Sequence, residues 1–332
     1  MSALIHALPG LEMSVSELTV QTGQMWEELA TADGGQSSDF RAWQMNLFLH
    51  FGSKTPVEEA KACFDQAIAF GQVYPCRIIV LSERDDGEGE GGELQGKLFS
   101  QCYLGKNFRD LCCCEALMLS YPKGLDELVA VQCSLWLETD LPVHYWIHRM
   151  EPTVVEANFG TILKLARRVV YDRSIEADAS DGFDGLSCRR VHDITYARLL
   201  RIRQTIGQLV SAFQPVELVE GLESVQIESV DALKAEAHVL VQWVGRALER
   251  CFKVAKLENV IEVGSALIPE TSEGSIILRF TYADESKSLI WSYNNTTKVG
   301  LFKAEFPTVS VSQPVHLEPV GDVQVLAEAF FF

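Results

Sequence analysis

An α/β domain followed by an α+β domain is the architecture this chain predicts, and three observations predict it. Short, nearly all-apolar runs such as MNLFLHF (45–51) and CRIIVLSE (76–83) alternate with helix-period segments up to about residue 190. That alternation is the mark of a mostly parallel, Rossmann-like sheet covered by helices on both faces. Beyond Pro215 the runs GSIILRFTYA, SLIWSYNN and KVGLFKAEF alternate at period two and follow one another directly, which implies an antiparallel meander. A length of 332 residues accommodates two domains. The expected division is 1–190 for the α/β domain and 191–332 for the α+β domain, with two long helices and the meander in the latter.

Taken in order, Ser14 and Glu17 are spaced as a capping box and open a helix running through Trp26 and Leu29. The stretch from Thr31 to Asp39 is polar and turn-rich. The buried strand 45–51 follows, then a helix from Pro56 to Gly71 with Thr55 as cap and Val57, Ala60, Phe64, Ala67 and Ile68 on its apolar face. After the strand 76–83, Asp85 to Glu93 reads as a flexible acidic loop. KLFSQCYLG and DLCCCEALMLSY then read as a hairpin inserted into the α/β unit. A helix from Leu125 to Trp136, a strand from Val143 to His148, a helix from Asn158 to Ala166 and a strand from Arg168 to Asp172 complete the first domain.

Asp193 to Phe213 predicts one long helix, N-capped by Asp193 and ended by Pro215. Its stripe is Leu199, Ile202, Ile206, Leu209 and Phe213. VQIES is a strand. Leu233 to Phe252 is a second long helix with Leu233, Ala237, Leu240, Val244, Leu248 and Cys251 on one side. Val323 to Phe332 reads as a short apolar helix or tail.

Composition narrows the function. A formal charge of −18 argues against non-specific nucleic-acid binding and against an anionic membrane surface. MSALIHALPG lacks the basic region of a signal peptide, and no run reaches the roughly 18 apolar residues a membrane helix needs, so the expected location is cytoplasmic. Nine cysteines with no C-x-x-C pair fit reduced thiols better than a disulfide framework or a zinc ribbon.

The motifs that suggest chemistry mostly dissolve on inspection. Gly87 to Gly92 satisfies G-x-G-x-x-G, but its acids would repel a pyrophosphate and a strand rather than a helix follows. His144 and His148 share one strand face with Trp146, and without a helix and a Glu they form no zincin site. Glu176, Asp178, Asp181 and Asp184 lack the spacing of a calcium loop and read as an exposed loop. Strand alternation places Cys112 and Cys114 on one side and Cys113 on the other, as buried thiols or, alternatively, a redox switch. No G-x-S-x-G, Walker or kinase set is present. The expectation is a protein that is not an enzyme and carries neither cofactor nor metal.

One feature points to binding. Lys164, Arg167, Arg168, Arg173, Arg189, Arg190, Arg198, Arg201 and Arg203 fall within 40 positions that hold only six acids. A local charge opposite in sign to the whole marks a surface that meets something acidic. Arg198, Arg201 and Arg203, on the polar side of the long helix, and Trp146 and His148 are the candidate partner-binding residues. The patch also leaves room for a small phosphorylated ligand.

Five blocks follow one another: FRAWQMNLFLHF with Arg41 and Asn46, YPCRIIVLSE with Pro75 and Arg77, LCCCEALMLSYPKG, LPVHYWIHR with Pro142, and RRVVYDRS with DITYARLLRIR, which holds Asp172, Ser174, Asp193, Arg198, Leu199 and Arg203. In this order, and over about residues 38 to 250, they resemble the glucose-6-phosphate dehydrogenase assembly protein (OpcA) family, whose motifs the named residues match. Tyr74 stands for the family's usual His, Ile147 for a second Trp, and Tyr196 and Ile202 for tryptophans. The resemblance implies a non-catalytic partner that binds glucose-6-phosphate dehydrogenase, favours its assembled active form as an allosteric activator or chaperone, and supports the oxidative pentose phosphate pathway. The rival reading is an α/β enzyme or sensor that takes a sugar phosphate or nucleotide at the carboxyl ends of the strands, near Glu83, Trp146 and Asp172.

Overall fold

Two hydrogen-bonded sheets organise the chain, each in its own compact unit: residues 1–194 with 322–332, and residues 195–321. The computed structural model describes residues 4–21, 43–85, 92–104, 111–137, 140–176, 182–183, 185–186, 190–258, 261–269 and 275–332, with backbone alone at 102–104 and 111–113. The acidic loop around 86–91 lies outside the described residues.

In the first unit, a short 3-10 helix Leu4–Ala7, β1 (Leu11–Met13) and helix α1 (residues 15–21) precede the sheet proper. The capping box forms: the Ser14 N–H donates to the Glu17 carboxylate at 2.8 Å and the Glu17 N–H to the Ser14 hydroxyl at 3.3 Å. The remainder of the expected helix lies beyond the described residues. Then come β2 (Met45–Phe51), α2 (Val57–Val73), β3 (Cys76–Arg84), β4 (Gln95–Leu104), β5 (Leu111–Pro122), α3 (Asp126–Trp136), β6 (Val143–His148), α4 (Pro152–Leu165), β7 (Ala166–Tyr171) and β8 (Val191–Asp193).

The sheet order is β1-β4-β5-β3-β2-β6-β7-β8. β2, β3, β5, β6, β7 and β8 run parallel, and the β4–β5 hairpin is inserted antiparallel. Helices α1, α3 and α4 cover one face, where Phe48, Ile79, Tyr145, Ile147 and Val169 join Leu18, Val129 and Phe159 in one core. Because both faces are covered, β2 is buried at every position, which is why its sequence reads as a continuous apolar run. From β2 the chain moves one way to β3 and β5, then returns past β2 to β6, β7 and β8. The direction reverses between β2 and β6, where open α/β sheets bind ligands at the strands' carboxyl ends.

Several boundaries differ from expectation. Thr55 does not cap α2: Pro56 is the last extended residue, and the Thr55 hydroxyl donates instead to the His148 carbonyl at 3.5 Å. Val57 points outward at 41% exposure. Helix α4 starts at Pro152, well before Asn158, because a proline at the first helical position is already pre-set for the helix.

The largest difference lies in 193–213. β8 is followed by α5 (Ile194–Arg198) and α6 (Leu200–Val210), interrupted at Leu199 with φ −79° and ψ 3°. Leu199, Ile202, Ile206 and Phe213 are buried as the stripe required. Asp193 ends β8 and directly precedes Ile194, so it stands at the N-cap position of α5 as expected. Its carboxylate accepts the Arg173 backbone N–H (3.2 Å) and Nε (3.1 Å).

The second unit continues with α7 (Pro215–Val219), β9 (Leu222–Ser229), α8 (Lys234–Ala255), β10 (Glu262–Leu267), β11 (Ile276–Tyr282), β12 (Ser288–Asn294), β13 (Val299–Phe306) and β14 (Val309–His316). The order β10-β9-β11-β12-β13-β14 is antiparallel throughout except for the parallel β9–β10 pair. Leu240, Val244 and Leu248 of α8 share a core with Ile227, Leu278, Trp291 and Phe302 of the strands.

The last helix, α9 (Asp322–Phe331), groups with the first unit, so the second unit is an insertion between β8 and α9. Phe330 and Phe331 meet Phe70 at ring-centroid distances of 5.4 and 6.0 Å, and His144 at 5.3 and 5.9 Å. The division read from the sequence had placed these residues with the meander.

Candidate functional site

At the reversal point between β2 and β6 the crevice is closed by the protein's own groups. Gly52, just after β2, donates its N–H to the His148 carbonyl at 2.9 Å. A Cβ on Gly52 would lie 1.8 Å from the Arg149 carbonyl oxygen, so the two backbones touch as only glycine permits. Arg149 itself sits in the left-handed region with φ +56°.

Side chains lock this closure. Glu59 of α2 accepts two hydrogen bonds from the Arg149 guanidinium, at 2.7 Å from Nε and 2.8 Å from Nη2. The same carboxylate lies 3.0 Å from His148 Nε2, and His148 Nδ1 lies 3.5 Å from Cys63 Sγ, one helical turn after Glu59. The Arg149 backbone N–H donates to the Glu176 carboxylate. The Ser53 N–H donates to Glu83 at 3.3 Å.

The electrostatics follow from this packing. The Arg149 hydrogen bonds hold the Glu59 carboxyl below its ordinary value, and Glu59 raises the Arg149 guanidinium in return. Burial lowers His148 although Glu59 pulls it the other way. Burial, then the Asp172 and Glu59 charges, push the Cys63 thiol up to about 12. Cys63, His148 and Glu59 thus stand in the order of a nucleophile, a base and an orienting carboxylate. The thiol nevertheless keeps its proton, and His148 is 1% exposed. The arrangement is suited to holding β6 and α2 together.

Glu176 supplies a pH dependence. Burial raises its carboxyl from 4.5 to about 7, outweighing the Arg149 N–H that favours its charge. A folded-state value above the unfolded one means the native state holds this proton longer. Stability from this group is therefore complete below about pH 4.5 and is lost as pH rises to about 7. Glu176→Gln, which keeps an oxygen for the Arg149 N–H, is expected to stabilise the protein by roughly 1–3 kcal/mol at pH 8 and to change little at pH 4.5. Urea melts of both proteins across pH 4.5–8 measure this; a constant difference would count against it.

The sequence-predicted residues fall into two groups. In the first unit they are mostly scaffold. Asp172 accepts the N–H and hydroxyl of Ser174 at 3.0 and 2.6 Å, closing the turn after β7. Asn46 donates its backbone N–H to the Pro142 carbonyl and its side chain to Leu141, and the Pro75 carbonyl accepts the Gln44 N–H. Arg77 pairs with Glu115. Trp146 and His148, at 3% and 1% exposure, lie inside the covered sheet and are not surface contacts. Glu176, expected in an exposed loop, is buried. Cys114 is buried. The side chains of Cys112 and Cys113, and all of Arg41, Asp178, Asp181, Asp184 and Arg189, lie outside the described residues.

In the second unit, Arg198 Nε stands 3.5 Å from Glu236, and its Nη2 donates to the Thr195 hydroxyl at 3.1 Å. The Arg203 guanidinium lies 3.5 Å over the Tyr196 ring and donates to the Tyr196 carbonyl. Arg201 is the exposed member. With Arg198, Glu236, Tyr293 and Glu318 it lines a cavity of about 150 Å³ in which the acids balance the arginines.

The sequence reading missed a buried triad. His50 bonds Tyr121 at 2.7 Å through Nε2 and Tyr145 through Nδ1, and burial lowers its imidazole to about 3. A lone His in an apolar strand was the available signal.

Among the described residues no group of three or more His, Cys, Asp or Glu is placed to hold a metal ion, and no helix is long and apolar enough to cross a membrane. Residues 67–187, about a third of the chain, match the family model described as the glucose-6-phosphate dehydrogenase subunit N-terminal domain, of the OpcA assembly type. The match covers the C-terminal part of α2 and the strands β3 to β7, and it supports the resemblance carried by the sequence blocks there. No curated protein matches the chain.

Proposed function

We propose that this chain is a non-catalytic partner of glucose-6-phosphate dehydrogenase that favours the enzyme's assembled, active state. The family match over 67–187 carries this reading. The filled crevice supports it. Where this fold class would take a sugar phosphate or nucleotide, Gly52 abuts Arg149, Glu83 is bonded to Ser53, Trp146 is buried and Asp172 closes a turn. Activation then works by differential affinity. A protein that binds the active state of the dehydrogenase tenfold better than the inactive one shifts that equilibrium by about 1.4 kcal/mol.

The test is a pair of assays. The purified chain alone is expected to give no turnover of glucose 6-phosphate with NADP, and to raise the activity of the dehydrogenase from the same cells. Turnover by this chain alone, or no effect on the dehydrogenase at any concentration, would overturn the proposal.

A further inference from the structure

Among its described residues, the first unit carries a cationic edge with which no carboxylate forms an ion pair. Arg167 and Arg168 follow Ala166 in β7, and the Arg190 carbonyl accepts the Val169 N–H at 3.0 Å, so Arg190 sits beside Arg168 across the β7–β8 edge. Arg167 and Arg190 are exposed, as is Lys164 in the last turn of α4. Arg168 is half-buried. Its Nη1 donates to the Ala329 carbonyl of α9 at 3.2 Å and lies 3.5 Å from His192 Nδ1. Among the described residues, no carboxylate forms an ion pair with Lys164, Arg167, Arg168 or Arg190.

The groups facing this edge report the crowding. Burial, then Arg190 and Arg167, lower the Arg168 guanidinium from its ordinary value, while Glu328 of α9 works against them. His192 of β8 and His144 of β6 are each lowered to about 4, by burial first and then by these arginines. Both imidazoles are therefore neutral near pH 7, and the arginines carry the charge. Asp193, the acid on β8, is paired with Arg173.

Like charges gathered on one edge repel, and a chain at −18 has acids in plenty to offset them. We infer that Arg167, Arg168 and Arg190 form a docking surface for an acidic protein surface, that of the dehydrogenase. The identity of the partner rests on the function proposed above; the location of the contact is new. The cations stand along a short edge strand and its neighbour rather than in a pocket, which fits a broad acidic surface better than a small enclosed anion. The overall negative charge disfavours a nucleic acid.

The test is binding of the full-length chain to the dehydrogenase by surface plasmon resonance, with Arg167→Glu/Arg190→Glu as the variant. Both side chains are exposed, so the fold is expected to survive, checked by circular dichroism and melting temperature. Affinity at 0.1 M salt should fall by about a hundredfold or more, since facing like charges across an interface cost several kcal/mol. Wild-type binding should also weaken as salt shortens the screening length from about 10 Å at 0.1 M to about 3 Å at 1 M. Arg250→Glu, on an exposed position of α8 in the second unit, should leave binding within about threefold. Should the double variant not fold, Arg167→Gln/Arg190→Gln and the wild-type salt titration carry the same test. Wild-type affinity in a folded double variant, or wild-type binding indifferent to salt, would overturn the docking surface and leave the proposed function standing. A wild type that does not bind the dehydrogenase, or that binds duplex DNA in its place, would overturn both.

Discussion

Arg77→Ala is expected to destabilise the first unit by about 3–5 kcal/mol, the range measured when one partner of a buried ion pair is removed. Arg77 is 7% exposed and Glu115 0%. The two are cross-strand neighbours on β3 and β5, with Nε 3.0 Å from the carboxylate. The guanidinium also donates to the carbonyl of Trp136, the last residue of α3, at 2.7 Å, and stacks 4.2 Å over the Trp43 ring. One side chain thus ties two central strands to a helix end whose carbonyl has no further turn to accept from. Alanine leaves a carboxylate in the core and a helix carbonyl without this donor. Arg77→Lys keeps the charge but not the fork, and an intermediate loss is expected. Arg77→Met combined with Glu115→Leu should recover much of the deficit, because it is the orphaned charge that costs most. Urea denaturation followed by circular dichroism measures the series. A single alanine variant within about 1 kcal/mol of wild type would sink this account.

The same residue shows how far the sequence could be read. Arg77 stood out through its place in a recognisable block, but its partners lie on other elements, and no local pattern pairs residue 77 with 115 or 136. What was legible is what depends on local periodicity. β2 and β6 read as buried strands because both faces are covered. The hairpin 95–122 and the meander 276–306 read correctly because strands consecutive in sequence pair with their neighbours.

What failed depended on distant partners. Asp193 was legible as the residue before a helix, but not as the partner of Arg173, twenty positions earlier on another element. The apolar run at 322–331 signals burial, yet its seat on Phe70, Tyr74 and His144 lies far earlier in the chain. The Glu59–Arg149–His148 cluster joins a helix face to a strand end and leaves no mark in spacing. The basic segment was visible as charge, but not which arginines were already engaged: Arg173, Arg198 and Arg203 hold contacts within the chain, whereas Arg167 and Arg190 are exposed.

Gly52→Ala should produce the second large effect, a loss of more than about 3 kcal/mol, beyond the ~1–3 kcal/mol usual for overpacking. The added methyl would sit 1.8 Å from the Arg149 carbonyl oxygen, 2.6 Å from its carbon and 3.2 Å from the Met150 nitrogen. All three are backbone atoms, so no side chain can rotate away. The ends of β2 and β6 must separate, which breaks the Gly52 to His148 hydrogen bond and draws Arg149 from Glu59. Gly160→Ala in α4 is the matched control. Its methyl would meet nothing within 4 Å, and replacing a helix glycine should stabilise by about 0.5–1 kcal/mol. Urea melts measure both variants. Amide exchange localises the damage, which should raise the exchange of the Gly52 and Arg149 N–H groups before that of β3 and β5. A Gly52→Ala protein with wild-type stability and unchanged exchange would mean that the crevice can open at little cost, and a ligand at the reversal point would then have to be reconsidered.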